Sequence, residues 1–236
     1  MFGGEASSDY GIVVKEAPTF ERPARKQTVF TVPGRNGAVV YQQDAWEDVT
    51  RQYKVFLTKE GKAPLHEAVD AFEAWLNSQK GYTRLEDSFE PEVFRMAYFS
   101  GNNSVTNEMT QYGESTLTFT CKPQRFYKDG DEALDCSGGR VLYNSTRFTA
   151  KPLIYIKVTA AAIITVNING VGISADIPAN DYIYIDCETR NAYRQSNENR
   201  NHKIAGNFPT LEPGSNTVTI TGVTSAIDIT PRYFTI

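Results

Sequence analysis

The sequence predicts a mainly β protein of two domains, the first carrying one helix. Three observations carry that prediction. Short apolar alternations, broken by glycine, proline and asparagine, recur along the 236 residues. One stretch, near residues 63–78, repeats its apolar side chains at helical period instead. Beyond residue 140 strand follows strand, with turn signals between them and no helix.

The first strand pair is set by its turn. Thr28-Val29-Phe30-Thr31 stops at Val32-Pro33, because proline fixes φ and has no N–H for a ladder. Gly34 permits the positive φ of a type II turn, and Asn36-Gly37 is a hairpin signal ahead of the apolar run Ala38-Val39-Val40-Tyr41. Pro33, Gly34, Arg35, Asn36 and Gly37 are therefore expected to turn a hairpin with one cation, Arg35, near its tip. Residues 51–57 follow, with Tyr53, Val55 and Leu57 on one side.

The helix comes next. Leu65, Ala68, Val69, Phe72, Trp75 and Leu76 fall on one stripe. Pro64 suits its first turn and Gly81 follows its end. Phe72 and Trp75 read as core anchors rather than a ligand box. Tyr82–Leu85, a turn at Asp87–Pro91, the strand Val93–Phe99, a loop at Gly101–Ser104 and the strand Ser115–Cys121 complete an α+β unit. Leu117, Phe119 and Cys121 are its inward positions.

Periodicity fades after Lys122-Pro123. The first domain is expected over 1–130, the second over 140–236, and a linker over 124–139. In the second domain, Leu153–Val158, Ile163–Ile168, Tyr182–Asp186, Asn216–Ile220 and Ile227–Thr230 read as strands, with a turn at Asn169-Gly170. Their spacing predicts a β-sandwich.

Composition excludes several functions. A net charge of −4 gives no basic surface for nucleic acid. No apolar run reaches the ~18 residues of a membrane span, and Met1–Glu5 lacks the pattern of a secretory signal. Cys121, Cys136 and Cys187 are far apart and read as free thiols, not as a disulfide framework or zinc site. Asn102 and Asn144 match the glycosylation pattern, read as chance in a cytoplasmically assembled protein. No nucleophile elbow, metalloprotease motif or phosphate loop occurs, so neither catalytic residue nor cofactor is expected.

Two clusters of polar residues remain. Glu86, Asp87, Glu90 and Glu92 crowd one turn and could form a glycosidase pair; the alternative is a solvated loop capped by Asp87 or Ser88. Asp186 and Glu188 invite the same question. Tyr182, Tyr184, Tyr193, Arg190, Arg194, Asn197 and Asn199 could offer a sugar aromatic rings beside planar polar groups; the alternative is a sheet face with a solvated loop. Of these, Tyr193, Arg194 and Asn197 are the candidate sugar or partner contacts.

Several stretches, in order, resemble the distal tail protein (Dit) family of siphophages, especially those infecting Gram-positive bacteria. They are Ser7–Ile12, the hairpin Val32-Pro33-Gly34-Arg35-Asn36-Gly37, the Trp75-Leu76 helix, Gly81-Tyr82 with Leu85, Ile185-Asp186 with Tyr193, and Gly206–Asn216. The resemblance implies a split-barrel-like N-terminal antiparallel β domain with one α-helix, and a galectin-like C-terminal sandwich. It implies a non-enzymatic homo-hexameric hub ring in the phage tail, joining the tail tube to the host-adsorption apparatus and letting DNA pass. The implied partners are the major tail tube protein, a tail-associated fibre or lysin protein and a receptor-binding protein, with assembly in the host cytoplasm and no membrane insertion. In that frame the hairpin supports ring or tube contacts. Two other readings stay open: a carbohydrate-binding baseplate or adhesin module acting through the sandwich, and a cell-wall glycoside hydrolase.

Overall fold

The computed structural model describes residues 1–19, 21–58, 65–101, 106–109, 112–195, 198–223 and 226–236. Pro64, Asn102 and Asn197 lie outside the described residues. The chain forms two compact units, Met1–Arg125 with Ile236, and Phe126–Thr235.

The first unit runs β1 (Ile12–Val14), β2 (Arg25–Phe30), β3 (Val39–Trp46), β4 (Val49–Thr58), α1 (Leu65–Ser78), β5 (Thr83–Leu85), β6 (Val93–Phe99), β7 (Thr106–Met109) and β8 (Tyr112–Tyr127). Its main sheet has the order β1-β4-β8-β6-β5, with β7 also on β8. Period-two alternation buries Tyr53, Val55 and Leu57 on β4, and Leu117, Phe119 and Cys121 on β8. Helix α1 lays Phe72, Trp75 and Leu76 into the same core. Trp75 is pinned twice: its ring stacks on Tyr10 at 4.6 Å, and its Nε1–H donates to the Phe2 carbonyl at 3.2 Å. The anchors expected from helical spacing are thus core residues.

The residues expected as a linker are mostly built into the second unit. Strand β8 continues past Pro123, which lies beyond the last β4 pairing at Cys121 and so forfeits no bond to that neighbour. β9 (Leu134–Asp135) pairs in a sheet, Cys136 is buried, and Gly130 packs against Tyr233 so closely that a Cβ would stand 2.6 Å from the Tyr233 nitrogen. Sequence periodicity fails here because two-residue strands and 3-10 turns carry none.

After β9 come β10 (Arg140–Asn144), β11 (Leu153–Lys157), β12 (Ala162–Ile168), β13 (Val171–Ile177), β14 (Tyr182–Asp186), β15 (Asn191–Arg194), β16 (Glu198–Asn199), β17 (Ile204–Gly206), β18 (Gly214–Thr221), β19 (Ala226–Thr230) and β20 (Phe234–Thr235). All but β20, which pairs with β8, join a five-stranded sheet, β10-β18-β12-β13-β17, or, with β9, a six-stranded one, β16-β15-β14-β11-β19-β9. Ile164, Val166, Ile168, Ile173 and Val218 of the first face Ile154, Ile156, Ile183, Ile185, Ile227 and Ile229 of the second in one core. This is a β-sandwich. The β12–β13 hairpin turns at Asn169-Gly170, both at positive φ, as a two-residue hairpin requires. Tyr233 joins the sandwich core, so Pro231–Thr235 belong to the second unit.

Gly206–Asn216, a stretch of the family resemblance, has a physical reason for its residues. Gly206 takes φ +110°, and a Cβ there would meet the Gly172 oxygen at 2.5 Å. Asn216 is fully buried; its Oδ1 accepts the Glu212 N–H and Asn169 Nδ2, while its Nδ2 donates to the Glu212 and Gly214 carbonyls. One side chain thereby satisfies a loop that has no ladder of its own.

Candidate assembly surface

The strands β2 and β3 pair only with each other among the described residues, forming a separate two-stranded sheet. Phe30 faces Val39, Val29 faces Val40 and Thr28 faces Tyr41 across it. Phe30, Val39 and Tyr41 therefore share one side, Val29 and Val40 the other. Neither side is covered: Val29, Phe30, Val32, Val39, Val40 and Tyr41 are 37–62% exposed. A lone hairpin in water is at best marginally stable, and apolar side chains on both of its faces are unusual for a free surface.

The connecting turn is wider than a two-residue hairpin, because the last strand pair is Phe30 with Val39. Its first half is the expected type II turn: the Arg35 N–H donates to the Val32 carbonyl at 3.2 Å, with Gly34 at φ +78°. Gly37 takes φ +80° in the second half. Pro33, Gly34, Arg35, Asn36 and Gly37 are all exposed at the ribbon's end.

In the acidic turn, Asp87 and Glu90 are shielded and paired with cations, while Ser88, Phe89, Pro91 and Glu92 are exposed. Asp87 Oδ1 caps the turn through the N–H groups of Phe89 and Glu90, at 3.0 Å each. Its Oδ2 accepts from Tyr53 at 2.6 Å and from Arg51 Nη2 at 2.9 Å. Glu90 accepts from Arg51, Arg95 and Arg125. Burial alone would raise both carboxyls, but these donors outweigh it and hold Asp87 and Glu90 below their ordinary values. A glycosidase acid needs the opposite shift. Glu86 pairs with Arg84, and Glu92 is exposed. In the second unit Asp186 is tied to Arg232 at 2.7 Å, and Glu188 to Lys151 at 3.3 Å. Sequence reasoning missed Arg51, the cation that organises the turn. Its signal was parity, since it shares the inward register of Tyr53, Val55 and Leu57.

The three thiols are buried and free. Burial pushes Cys121 and Cys136 up to about 11 and Cys187 to about 12, so none is a poised nucleophile. Asn144 is 1% exposed and donates to the Phe148 and Leu211 carbonyls, which makes it a structural side chain and no glycan acceptor.

The candidate sugar contacts are partly brought together. Tyr193 stacks on Tyr184 at 5.5 Å, Tyr184 meets Tyr182 at 5.9 Å, and the Arg194 guanidinium lies 5.2 Å from the Tyr182 ring centre. Arg190 is exposed at positive φ in the β14–β15 turn, and Asn199 pairs with Tyr193 across β15 and β16. Tyr155, on β11, completes the ring cluster at 5.0 Å from Tyr184; it went unnoticed because it is remote in sequence.

Residues 145–233 match the family model of the siphovirus-type tail component, C-terminal domain. The whole chain also shares the fold of the SPP1 Dit protein (gp 19.1), described as a paradigm of the hub adsorption apparatus in phages infecting Gram-positive bacteria. The TM-score is 0.69 at 13% identity, covering 100% of this chain and 98% of that one. Two structures of the phage p2 baseplate in its activated conformation, with strontium and with calcium, give TM-scores of 0.54 at 10% and 9% identity. Each covers 93% of this chain and 89% of that chain. No curated protein sequence matches significantly. The expected resemblance to siphophage distal tail proteins is borne out by the family match and the shared fold. The family model speaks for the C-terminal part of a siphovirus-type tail component, and the solved structures for the fold of the whole chain.

Proposed function

We propose that the chain is a subunit of a tail hub: six copies close into a ring that joins the tail tube to the host-adsorption apparatus, and DNA passes through the bore. The observation that carries this is the uncovered ribbon β2–β3, read beside the full-length likeness to SPP1 Dit. A ring needs a heterologous contact, in which one patch meets a different patch on the next copy. A ribbon with apolar side chains on both faces, and no further strand on either edge among the described residues, is suited to such a contact. Covering Phe30 or Val40 would contribute about 1.5–3 kcal/mol per side chain. In this reading Pro33, Gly34, Arg35, Asn36 and Gly37 hold the ribbon's end against the ring or the tube. The major tail tube protein binds on one side, and a fibre or lysin protein on the other. A receptor-binding protein is a further candidate partner. The chain acts without catalysis and is assembled in the host cytoplasm before residing at the virion's tail tip.

Negative-stain images of the purified chain mixed with the tail tube protein test this. Six-fold rings are expected. A chain that stays monomeric at high concentration with both neighbours present would overturn the proposal.

A further inference from the structure

We propose that the outer face of the six-stranded sheet binds a neutral polysaccharide. The inference concerns the second unit by itself and does not rest on ring assembly.

The face is built from one continuous row of cross-strand neighbours. Strand register sets Asn199 beside Tyr193, Tyr193 beside Tyr184, Tyr184 beside Tyr155, Tyr155 beside Asp228 and Asp228 beside Asp135. Tyr182 stands in the next row and touches both Tyr155 and Tyr184. The buried neighbours on these strands, Ile154, Ile156, Ile183, Ile185 and Ala192, point into the core, so the tyrosines stand on the opposite side by alternation. All four are partly exposed, and among the described residues none of their hydroxyls makes a hydrogen bond. Four phenols in mutual contact form a rigid surface, apolar in its rings and wet at its tips. Tyrosine orders at small entropic cost, which favours it in recognition surfaces. A pyranose has the complementary character: C–H faces that pack on rings, and hydroxyls that donate and accept.

One end of this platform opens on a shallow cleft lined by Asp176, Asp181, Tyr182, Arg200 and Lys203. Tyr182 belongs to both. Arg194 covers the Tyr182 ring and holds its Nε 3.0 Å from Asp181 Oδ1, an ion-pair distance without hydrogen-bond alignment. Arg200 pairs with Glu198 at 2.8 Å and lies 3.9 Å from Asp181; Lys203 pairs with Asp176 at 3.2 Å. Three cations are thus matched by three carboxylates. The cleft presents planar polar groups with their charges already compensated, and Asp228 and Asp135 stand at the far end of the row. A phosphate polymer or acidic peptide would need an excess of positive charge that this face lacks. An uncharged polyol fits it, with the ion pairs fixing the geometry of groups that hydrogen-bond to vicinal hydroxyls.

The test uses the full chain on an array of neutral and anionic oligosaccharides, followed by titration of the best neutral glycan. Binding to neutral hexose-containing glycans is expected, with no gain from added phosphate or carboxylate. Tyr184→Ala and Tyr155→Ala should each weaken binding about tenfold or more. Tyr184→Phe keeps the ring and its packing, so it should retain most of the binding and serves as the check against misfolding. Arg194→Lys keeps a cation for Asp181 but loses the planar guanidinium over Tyr182, so it should weaken binding with little change in the melting temperature of the second unit. The proposal is overturned if neutral glycans show no binding at millimolar concentration, if binding survives both alanine substitutions, or if anionic glycans or a protein partner compete for the face more tightly than any neutral one.

Discussion

Arg51 Nη2 stands 2.9 Å from Asp87 Oδ2 inside the first unit, where the two side chains are 3% and 9% exposed. This pair makes the acidic turn a structural clamp between β4 and the loop after β5. Removing one partner strands a charge away from water, and Arg51→Ala is predicted to cost about 3–5 kcal/mol. Tyr53→Phe removes only a hydroxyl donor and should cost about 1–3 kcal/mol. Urea unfolding followed through the fluorescence of Trp75, which lies in the same unit's core, reads both.

The same clamp sets an acid limit. Asp87 and Glu90 are held below their ordinary values in the folded state, so the unfolded chain binds protons first. Their contribution is complete above the ordinary carboxylate value of about 4 and is lost as pH falls from there through the depressed folded values. Stability of the first unit, measured by urea unfolding between neutral pH and pH 3, should therefore be level and then drop. A rise on acidification would contradict the assignment. Asp186, lowered by Arg232 against the opposing effect of burial, should give the second unit a drop of the same sign.

Phe72 is 1% exposed between α1 and the sheet. Phe72→Ala should cost about 3–5 kcal/mol through lost burial and the cavity left behind. Ile156→Ala in the sandwich should cost about 2–5 kcal/mol and show as reduced hydrogen-exchange protection in β11 and β14.

Asn216→Ala would leave the Glu212 and Gly214 carbonyls and the Glu212 N–H without their partner. A loss of at least about 1–3 kcal/mol is expected, seen as a lower melting temperature of the second unit. Gly206→Ala should destabilise as well, because it combines a positive φ with a contact to the Gly172 oxygen that cannot be relieved by a side-chain rotation.

Much of this fold could be read from spacing, and the misses have physical causes. Period-two alternation located β4, β8, β11, β12 and β14, and helical spacing located α1, because these elements bury one face each. β13 was missed although Ile173, Ala175 and Ile177 alternate inward; Gly172 and Asp176 diluted the pattern. Arg51 was overlooked because an arginine at an inward position looks like the end of the apolar run, and only the distant Asp87 explains it. The tyrosine face illustrates the wider limit. Alternation puts Tyr155 on the outer side of its own strand, but its meeting with Tyr184 depends on the strand order β15-β14-β11-β19, which no local pattern encodes. The hairpin was the opposite case. The type II half of its turn was legible in Pro33 and Gly34, but Asn36-Gly37 sits in a wider connection than the hairpin it signals, and the exposure on both faces was not legible, since an apolar strand reads as buried until its neighbours are known.

That exposed ribbon carries the proposed ring contact. Phe30 and Tyr41 share one of its faces, and replacing both with serine should change the chain's own stability by no more than about 0.5 kcal/mol, as for other surface sites. The decisive measurement is the mass of the assembly formed with the tail tube protein, by sedimentation or native mass spectrometry, for the wild-type chain and for Phe30→Ser/Tyr41→Ser. A six-fold ring of 26.3 kDa subunits is expected for the first and folded monomers for the second. A double variant that closes into the same ring as the wild type would contradict the proposed contact.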